Sequence, residues 1–376
     1  MAFVKQLPIL VAGGGIAGVA AALAAAVSGR EALVFERAGA FEEVGAGLQI
    51  GPNAVKALQR IGAWSEVAAI ATAPPAIILR DAMSGRTVRR VQLAGAFEAM
   101  FGAPYRVAHR AHLHGALLAA AAEHPSITIR GGSAVQDISE DVDGVSLTLQ
   151  DGTSHSGDVL IAADGMRSGI RQKLWPGSAS VFAGQIIYRA LTDMPATLAD
   201  GDCVNLWMGR GFHCVHYPVG KEHRLNIVLV AHDGQLTDEI IEQCCAGLQD
   251  ILAGAGKWLP WEARHVPPLS SWVKGRVALL GDSAHGTVPY FAQGSAMALE
   301  DAALLADLLR DAGTLPVNFA HLNKRMPRVA TVHQASVRQG QIYSAKGPMA
   351  AARNLVLRMM PDQQFLSRLA WIYKNG

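Results

Sequence analysis

The chain has 376 residues, of which half are apolar and 17% are charged, and its formal net charge is +2. This composition is typical of a globular protein with two or three domain-sized units, and it excludes a disordered chain. The near-balance of charge, without a dense run of Lys or Arg, argues against nucleic acid as a partner. The four cysteines form no CxxC or zinc-like pattern, which favours a reducing, cytoplasmic location and predicts no metal site.

Residues 6–29 carry no charged side chain, a pattern shared by export signals and membrane-spanning helices. However, Gly13, Gly14 and Gly15 interrupt the segment, and Ala dominates the rest of it. We therefore predict a buried strand at 7–12 followed by a buried helix, and no membrane span.

Three further apolar runs predict strands of the same buried kind: "ALVFE" at 32–36, "DVLIAADG" at 158–165 and "RVALLGD" at 276–282. In a doubly wound parallel sheet, the turns after such strands lie at the carboxyl edge, where ligands bind. Residues 181–230 instead predict antiparallel strands, and the last third of the chain predicts helices. The sequence therefore predicts an α/β protein.

Residues 13–18 satisfy the pattern GxGxxG. We predict that Gly13 permits a tight turn, Gly15 lets a pyrophosphate approach closely, and Gly18 lets the helix pack on the strand. Glu36 ends the next strand, and its carboxylate is predicted to accept hydrogen bonds from a ribose diol. This arrangement predicts binding of a dinucleotide, which the motif leaves open as NAD or FAD.

Two more strand ends carry an aspartate: Asp164 is followed by Gly165, and Asp282 is preceded by Gly281. Taken alone, either aspartate is adequately explained as the residue that closes a turn or caps a helix. Their occurrence after two separate buried strands is what connects them with the glycine-rich turn.

The segments 13–18, 158–171 and 275–302 together resemble, in the same order, the fingerprints of the class A FAD-dependent aromatic hydroxylases of the para-hydroxybenzoate hydroxylase type. Within this family the chain resembles the salicylate hydroxylase and 3-hydroxybenzoate 6-hydroxylase branch. It departs from the family at Ala292, where Gly is usual. The resemblance implies FAD as cofactor, NAD(P)H as co-substrate, and oxygen transfer from a C4a-hydroperoxyflavin formed with O2.

The resemblance also implies a Rossmann-like FAD-binding domain, an inserted substrate domain with a mixed or antiparallel sheet, and C-terminal helices. Apolar residues on one helical face near the end are predicted to dock onto the body or a second subunit: Phe365, Leu369, Ile372 and Tyr373. The predicted boundaries are 1–72, 98–180 and 270–345 for the FAD-binding domain, 73–97 and 181–269 for the substrate domain, and 346–376 for the C-terminal segment.

The resemblance assigns FAD contacts to the glycine-rich turn, to the strand-end acids and to the start of the helix after Gln293. Asp164 is expected near the pyrophosphate and the route of NAD(P)H, and Asp282 on the ribityl chain. Pro289 is expected to shape the wall between flavin and substrate and to take part in catalysis. The predicted FAD contacts are Gly13, Gly15, Ile16, Ala17, Gly18, Glu36, Arg37, Gly47, Arg110, Asp164, Gly165, Asp282, Pro289, Gly294 and Ser295.

Substrate contacts are predicted on a strand at 211–219, where alternate side chains share a face. His213 and Tyr217 lie on one face: His213 is predicted to accept a phenolic proton, and Tyr217 to orient a ring oxygen or a carboxylate. His216 takes that place if the strand presents its other face.

Gln49 and Tyr290 are predicted to line the same pocket, Gln49 from a loop at 44–55 that resembles the family segment beside the flavin. His285 is interpreted as structural. Weaker candidates for contact with an acidic substrate are Arg86, Arg89, Arg90, Arg106, Tyr188 and Arg189.

The sequence thus predicts a FAD-dependent monooxygenase acting on a small phenolic acid, nominally salicylate, with 3-hydroxybenzoate or hydroxynicotinate as alternatives. Two other classes stay open. A NAD-dependent dehydrogenase explains the first motif but neither Asp164 nor Asp282, and a flavin-binding redox regulator explains all three motifs without catalysis. The oligomeric state is left as monomer or homodimer.

Overall fold

The computed structural model describes residues 6–40, 47–195, 198–222, 224–232, 237–310 and 318–374, so 44–46 of the predicted flavin loop lie outside the described residues. The described strands are β1 Ile9–Ala12, β2 Ala32–Phe35, β3 Gly47–Ile50, β4 Ala76–Asp81, β5 Thr87–Gln92, β6 Arg106–His109, β7 Ile127–Arg130, β8 Val135–Glu140, β9 Val145–Leu149, β10 Ser154–Gly157, β11 Val159–Ala162, β12 Val181–Thr192, β13 Val204–Met208, β14 Phe212–Val219, β15 Arg224–Ala231, β16 Leu259–His265, β17 Val273–Lys274 and β18 Val277–Leu279.

The described α-helices are α1 Ile16–Ala26, α2 Pro52–Arg60, α3 Trp64–Ile70, α4 Ala96–Phe101, α5 Arg110–Ala122, α6 Gly169–Leu174, α7 Asp238–Glu242, α8 Ala246–Ala253, α9 Asp282–His285, α10 Gly294–Arg310, α11 Met326–Tyr343, α12 Gly347–Met359, α13 Asp362–Ser367 and α14 Ala370–Tyr373. A 3-10 helix, Ala320–Arg325, precedes α11.

A six-stranded sheet carries the predicted nucleotide-binding motifs, in the order β17–β18–β11–β1–β2–β7. All neighbouring strands are parallel except β17 and β18. The four strands predicted from apolar runs are therefore adjacent, in the order β18–β11–β1–β2, and their carboxyl ends lie at one edge of the sheet.

The uncharged N-terminal segment is a buried strand and a buried helix, as predicted. Every residue of β1 is buried, and so are residues 18–25 of α1, which packs between the sheet and α10. The alanines keep this helix thin enough to be covered on all sides. Among the helices of the described ranges, none combines the length and apolar character needed to cross a bilayer.

A seven-stranded mixed sheet faces the carboxyl edge, in the order β16–β12–β15–β14–β13–β4–β5. Its strands pair antiparallel, as predicted for 181–230, except that β13 and β4 are parallel. In chain order, β4 and β5 lie between β2 and β7, and β12 to β16 lie between β11 and β18. The mixed sheet is thus an insertion into the chain of the parallel sheet.

The C-terminal helices pack against both sheets. Phe365, Leu369, Ile372 and Tyr373 join a buried aromatic cluster on the body of the protein, as predicted. Phe365 lies on α13, Leu369 in the link that follows it, and Ile372 and Tyr373 on α14, so the four residues do not share one helical face. The carbonyl oxygens of Trp371 and Ile372 in α14 accept hydrogen bonds from the Arg328 guanidinium instead of from a continuing helix.

Candidate active site

Three turns meet at the carboxyl edge of the parallel sheet. Ala12, Ala162 and Leu279 are register partners on adjacent strands, so the turns that follow them start side by side. These turns are the segments in which the sequence predicted FAD contacts, at 13–18 and around Asp164 and Asp282.

Glycines allow these turns to pack closely. Gly13 has φ +103°, and a Cβ there would lie 2.4 Å from the carbonyl oxygen of Ala163. Gly281 has φ +61°, and a Cβ there would lie 2.7 Å from Cβ of Ala17. A Cβ on Gly18 would lie 1.8 Å from the carbonyl oxygen of Gly13, so α1 packs directly on the turn. Any larger side chain would push the three turns apart.

The acids of the turns are held in defined positions. The Glu36 carboxylate accepts hydrogen bonds from the backbone N–H of Gly14 at 2.7 Å and of Ala38 at 2.9 Å. One oxygen of Asp164 accepts a bond from Ile170 N at 3.3 Å, and the other is buried without a partner among the described residues. The contact of Glu36 with ribose stays a prediction. Asp164 keeps one carboxylate oxygen that can accept a hydrogen bond from a ligand.

A buried arginine ties two of the turns together. Arg171 has 0% exposure and donates to the carbonyl oxygens of Met166 at 2.7 Å, Ser178 at 3.0 Å and Ser283 at 2.8 Å. Since Ser283 follows Asp282, the Arg171 guanidinium fixes the distance between the second and third turns.

A cavity of about 1070 Å³ is lined by this edge and by the mixed sheet. Of the predicted FAD contacts it contains Gly15, Ile16, Ala17, Gly47, Arg110, Gly165, Asp282, Pro289, Gly294 and Ser295. The others support the turns or lie beyond this lining: Gly13, Gly18, Glu36, Arg37 and Asp164.

The residues at this end of the cavity fit FAD. A Cβ built on Gly15 or Gly294 meets no atom within 4 Å, so ligand atoms can approach both backbones. Asp282 is exposed in the cavity, and the free oxygen of Asp164 lies in the adjacent turn. The first N–H groups of α10 have no intrahelical acceptor and suit an anionic ligand edge.

The helix α10 is anchored by a buried acid. Asp301 accepts bonds from His285 Nε2 at 2.6 Å, Arg325 Nε at 2.9 Å and Gly281 N at 3.1 Å. Burial alone would raise the pKa of Asp301, but His285 and Arg325 together lower it below its ordinary value. The interpretation of His285 as structural agrees with this pairing, which holds the Gly281 turn that presents Asp282.

The residue at which the chain departs from its family has an unusual backbone conformation. Ala292 has φ +51°, in the left-handed region, and its N–H donates to the carbonyl oxygen of Pro289 at 2.8 Å. The turn before α10 therefore has the geometry that favours Gly, although Ala stands there.

The mixed sheet presents the predicted face of β14 to the cavity. His213 and Tyr217 line the cavity, whereas Cys214 packs in a hydrophobic cluster on the opposite side of the sheet. His216 is also on that opposite side, with its ring centroid 6.1 Å from Trp207. The alternative in which His216 replaces His213 is therefore wrong.

His213 lies in an aromatic surround and is 3% exposed. Its ring centroid is 5.4 Å from Tyr290, edge to face, and 5.4 Å from Tyr343. Burial, followed by the neighbouring His232, lowers the pKa of His213 to about 3. His213 is therefore uncharged at neutral pH. The Tyr290 hydroxyl donates a hydrogen bond to the Gln185 side chain at 3.1 Å, and burial raises the pKa of Tyr290 to about 12.

Gln49 lies at the other end of this wall. Its side-chain oxygen accepts a hydrogen bond from the Tyr105 hydroxyl, and its side chain also contacts Tyr217. Burial raises the pKa of Tyr217 well above its usual range, although Arg189 opposes this effect. A Cβ on Gly47 would lie 2.5 Å from the Tyr217 ring, so the strand that carries Gln49 packs on the tyrosine.

Arg189, on β12 of the mixed sheet, contributes a positive charge to this wall of the cavity. Arg189 is the register partner of Val228 on β15, and Val228 is in turn the partner of Val215 on β14. Since Val215 lies between His213 and Tyr217 on the same face of β14, Arg189 lies at a level of the sheet between these two side chains. Its guanidinium lies 5.8 Å from the Trp261 ring centroid, and Nε is buried without a partner among the described residues. The weaker candidates that do not line the cavity are Arg86, Arg89, Arg90, Arg106 and Tyr188.

Three residues at the site were missed in the sequence. Tyr105 directly precedes β6, whose pairing with β3 brings it to Gln49, and only that pairing reveals it. Tyr343 ends α11, and His232 follows β15 and touches His213. Their contacts depend on how distant elements pack, for which the sequence carries no local signal.

Comparison with known proteins agrees with this geometry. The chain matches the FAD binding domain family over residues 6–313. It is 34% identical to 3-hydroxybenzoate 6-hydroxylase from Polaromonas naphthalenivorans, over 98% of this chain and 96% of the relative. The structure of Klebsiella pneumoniae HpxO complexed with FAD and uric acid has a TM-score of 0.87 and 26% identity, over 98% of this chain and 96% of that chain.

A salicylate hydroxylase substrate complex is similar with a TM-score of 0.81 and 25% identity, over 99% of this chain and 96% of that chain. The predicted cofactor and reaction class are therefore confirmed, and the dehydrogenase alternative is wrong. The chain belongs to the FAD binding domain family and is a class A FAD-dependent aromatic monooxygenase that uses NAD(P)H as co-substrate.

Proposed function

We propose that this monooxygenase hydroxylates a hydroxybenzoic acid, with 3-hydroxybenzoate as the first candidate and O2 as the oxidant. One observation carries the proposal. A single cavity joins the FAD turns to a wall that carries His213, which is 3% exposed, and Arg189, whose Nε is buried without a partner among the described residues. A phenolic hydroxyl and a carboxylate are the two groups that these side chains recognise.

In this proposal Arg189 binds the carboxylate of the substrate. A guanidinium offers a planar fork of donors, and its charge is weakly screened where water is excluded. Tyr217, held by Gln49, orients the ring in the row beside Arg189. The catalytic group is His213, which accepts the phenolic proton and so makes the ring a better nucleophile.

FAD, once bound and reduced by NAD(P)H, supplies activated oxygen to the ring. Pro289 and Tyr290 form the part of the wall between the FAD end and His213. We propose the domain division predicted from the sequence, with the substrate domain at 73–97 and 181–269. A monomer or homodimer in the cytoplasm is proposed as the working form.

The placement of the two recognition groups favours a meta over an ortho arrangement. His213 and Arg189 lie on β14 and β12, which β15 separates, so their strands are about 10 Å apart. An ortho acid such as salicylate presents both groups on one edge of the ring, whereas 3-hydroxybenzoate spreads them. The name of the relative at 34% identity supports the same substrate. Salicylate stays the second candidate because the salicylate hydroxylase complex shares this fold.

The test is a panel of acids on the purified, FAD-containing protein. NAD(P)H oxidation, O2 uptake and product identity are measured with 3-hydroxybenzoate, salicylate, benzoate and phenol. We expect stimulation and a hydroxylated product with a hydroxybenzoic acid, and neither with benzoate. If no hydroxybenzoic acid stimulates NAD(P)H oxidation, the proposal is wrong.

Two variants assign the roles. His213→Ala should keep its FAD, hydroxylate more slowly and release more peroxide per NAD(P)H. Arg189→Gln should raise KM for the acid by roughly 10-fold to 100-fold, since it removes a charge-assisted hydrogen bond, and leave KM for phenol nearly unchanged. The control is Arg86→Gln, at an exposed arginine away from the cavity. Equal KM effects on the acid and on phenol would remove Arg189 from the carboxylate site.

A further inference from the structure

A second histidine contacts the proposed base. Nδ1 of His213 lies 3.0 Å from Nε2 of His232, and the ring centroids are 5.2 Å apart. The backbone fixes this pair, because His232 follows β15 directly and its N–H donates to the carbonyl oxygen of Gly211 at 2.9 Å. The contact therefore belongs to the hairpin geometry of β14 and β15.

The helix α11 makes room for the second ring. A Cβ built on Gly340 would lie 3.0 Å from Cε1 of His232 and 2.7 Å from the Tyr290 ring. The titratable or charged side chains that line the cavity on the elements packed around the pair are Tyr217, Arg189, Tyr290, Tyr343 and Arg338. A carboxylate is absent from this set, so within the described residues no neighbouring acid offsets a charge on His213.

Burial differs between the two histidines. His213 is 3% exposed, whereas His232 is only half-buried and lies at the end of the strand. A proton that binds to His213 creates a cation among buried aromatic side chains, and burying a charge away from water costs free energy. A proton that moves on to His232 places the charge closer to water. The pair therefore forms a path from the cavity towards the surface.

The ring nitrogens can share their protons in two ways. If His232 Nε2 carries the hydrogen, then His213 presents an N–H to the cavity and is not a base. If His213 Nδ1 carries it, then Nε2 of His213 is free to accept a proton from the ligand. Only the second arrangement agrees with the proposed function, on which this inference rests.

We propose that His232 is a positioning residue that holds His213 in its base form and takes the proton onward. In the step, the phenolic O–H bond breaks and an N–H bond forms at Nε2 of His213. The Nδ1–H bond of His213 breaks as an N–H bond forms at Nε2 of His232. No electrons are gained or lost, the ligand becomes a phenolate, and the positive charge ends on His232.

The test measures ionisation of the bound phenol and does not need turnover. The oxidised, FAD-containing protein is titrated anaerobically with 3-hydroxybenzoate at a series of pH values, and the phenolate absorbance gives the apparent pKa of the bound phenol. His232→Gln keeps an acceptor for His213 Nδ1–H but cannot take a proton. We expect its apparent phenol pKa to rise by at least one unit, with Kd for the neutral phenol within threefold of wild type.

His232→Leu removes the acceptor as well, so it should also weaken binding of the phenol. The control, His321→Gln, is at an exposed histidine outside the cavity and should match wild type. A His232→Gln phenol titration that superimposes on wild type overturns the proposal. If wild type and His232→Gln hydroxylate the acid at the same rate and with the same pH dependence, the relay proposal is wrong while the proposed function stands. If wild type binds no hydroxybenzoic acid, the proposed function has failed first.

A second measurement uses only the wild-type protein, so it tests the proposal even if the His232 variants do not fold. The rate of phenolate formation is followed by stopped flow in mixtures of H2O and D2O. Transfer of two protons in one step predicts a curved dependence on the deuterium fraction. A linear dependence means that one proton moves and overturns the relay.

Discussion

Aspartates near the cofactor end of the cavity differ in how many partners the protein gives them. Asp301 has three hydrogen bonds from protein donors and 1% exposure. Asp282 is exposed in the cavity, and one oxygen of Asp164 is buried without a partner among the described residues. A fully bonded acid stabilises the turn, whereas an acid with free acceptors is available to a ligand. The same residue type thus serves both structure and binding.

This distinction predicts the effect of Asp282→Ala. The variant should fold but bind FAD roughly 10-fold to 100-fold more weakly, because one charged acceptor is lost from the cofactor site. Flavin absorbance per protein after gel filtration, and Kd from fluorescence titration, check this. Asp143→Ala, at an exposed turn residue, is the matched control. Unchanged flavin affinity in Asp282→Ala would exclude the predicted contact with FAD.

The left-handed residue before α10 gives a second prediction. Ala292→Gly should stabilise the protein by about 0.5 to 1 kcal/mol, because relief of the left-handed Cβ clash exceeds the added entropy of Gly. Thermal melting of the FAD-containing protein measures this. Ala351→Gly, at an exposed position inside α12, should destabilise by about 1 kcal/mol. A lower melting temperature for Ala292→Gly would mean that the turn carries no such strain.

At the scale of elements, α10 combines two tasks. Its first turn faces the cofactor end of the cavity, and its middle carries Glu300 and Asp301, which bind Arg325 and Arg328. The apolar pattern predicted this helix, and the family resemblance implied its start after Gln293. It did not predict that two acids on the helix are buried, because their partners come from the 3-10 helix and α11.

The buried acid makes stability depend on pH. Because the pKa of Asp301 is lowered in the folded protein, its contribution is fully present above about pH 4 and is lost as the pH falls through the folded pKa. Asp301→Asn should therefore lose about 3 kcal/mol near pH 7, and this deficit should shrink below about pH 4.

Thermal melting of the FAD-containing variants at pH 7 and pH 3.5 tests this sign. Asp307→Asn, on the exposed side of the same helix, is the control and should stay within about 0.5 kcal/mol of wild type at both values. A deficit for Asp301→Asn that is the same at both pH values would show that lost packing, and not charge, is responsible.

How far the sequence predicts an element depends on whether the pattern is local. Glycine spacing and apolar runs are local, and they located β1, β2, β11, β18 and their turns. The alternation in β14 also predicted correctly that His213 and Tyr217 share a face. The Gln49–Tyr105 bond and the direction of Arg189 depend on strand register between distant segments, which no single stretch of sequence encodes.

At the scale of the whole molecule, the cavity has three walls: the edge of the parallel sheet, the mixed sheet, and the C-terminal helices. The third wall includes Tyr343, Phe365, Leu369 and Tyr373. The sequence predicted that the C-terminal segment packs against the body of the protein or a second subunit, but it did not predict which elements the segment contacts. Apolar spacing shows that a helix has a buried face, whereas the identity of its partner is a property of the complete fold.

One side chain holds this third wall in place. Arg328 on α11 donates to the carbonyl oxygens of Trp371 and Ile372, both at 2.7 Å, and pairs with buried Glu300. Arg328→Ala should therefore loosen α14 and let water into the cavity, without touching the FAD turns. We expect normal flavin content, a several-fold higher KM for the aromatic acid, and a larger share of NAD(P)H oxidation that yields peroxide instead of hydroxylated product.

Measuring product, peroxide and NAD(P)H consumption in the same reaction separates this effect from a general loss of activity. Arg358→Ala, at an exposed arginine of α12 in the same C-terminal region, is the control and should couple as well as wild type. If Arg328→Ala also loses its FAD, the damage extends through Glu300 and α10 to the cofactor end. If coupling and KM stay unchanged, the C-terminal wall does not seal the cavity, and exclusion of water must come from the two sheets alone.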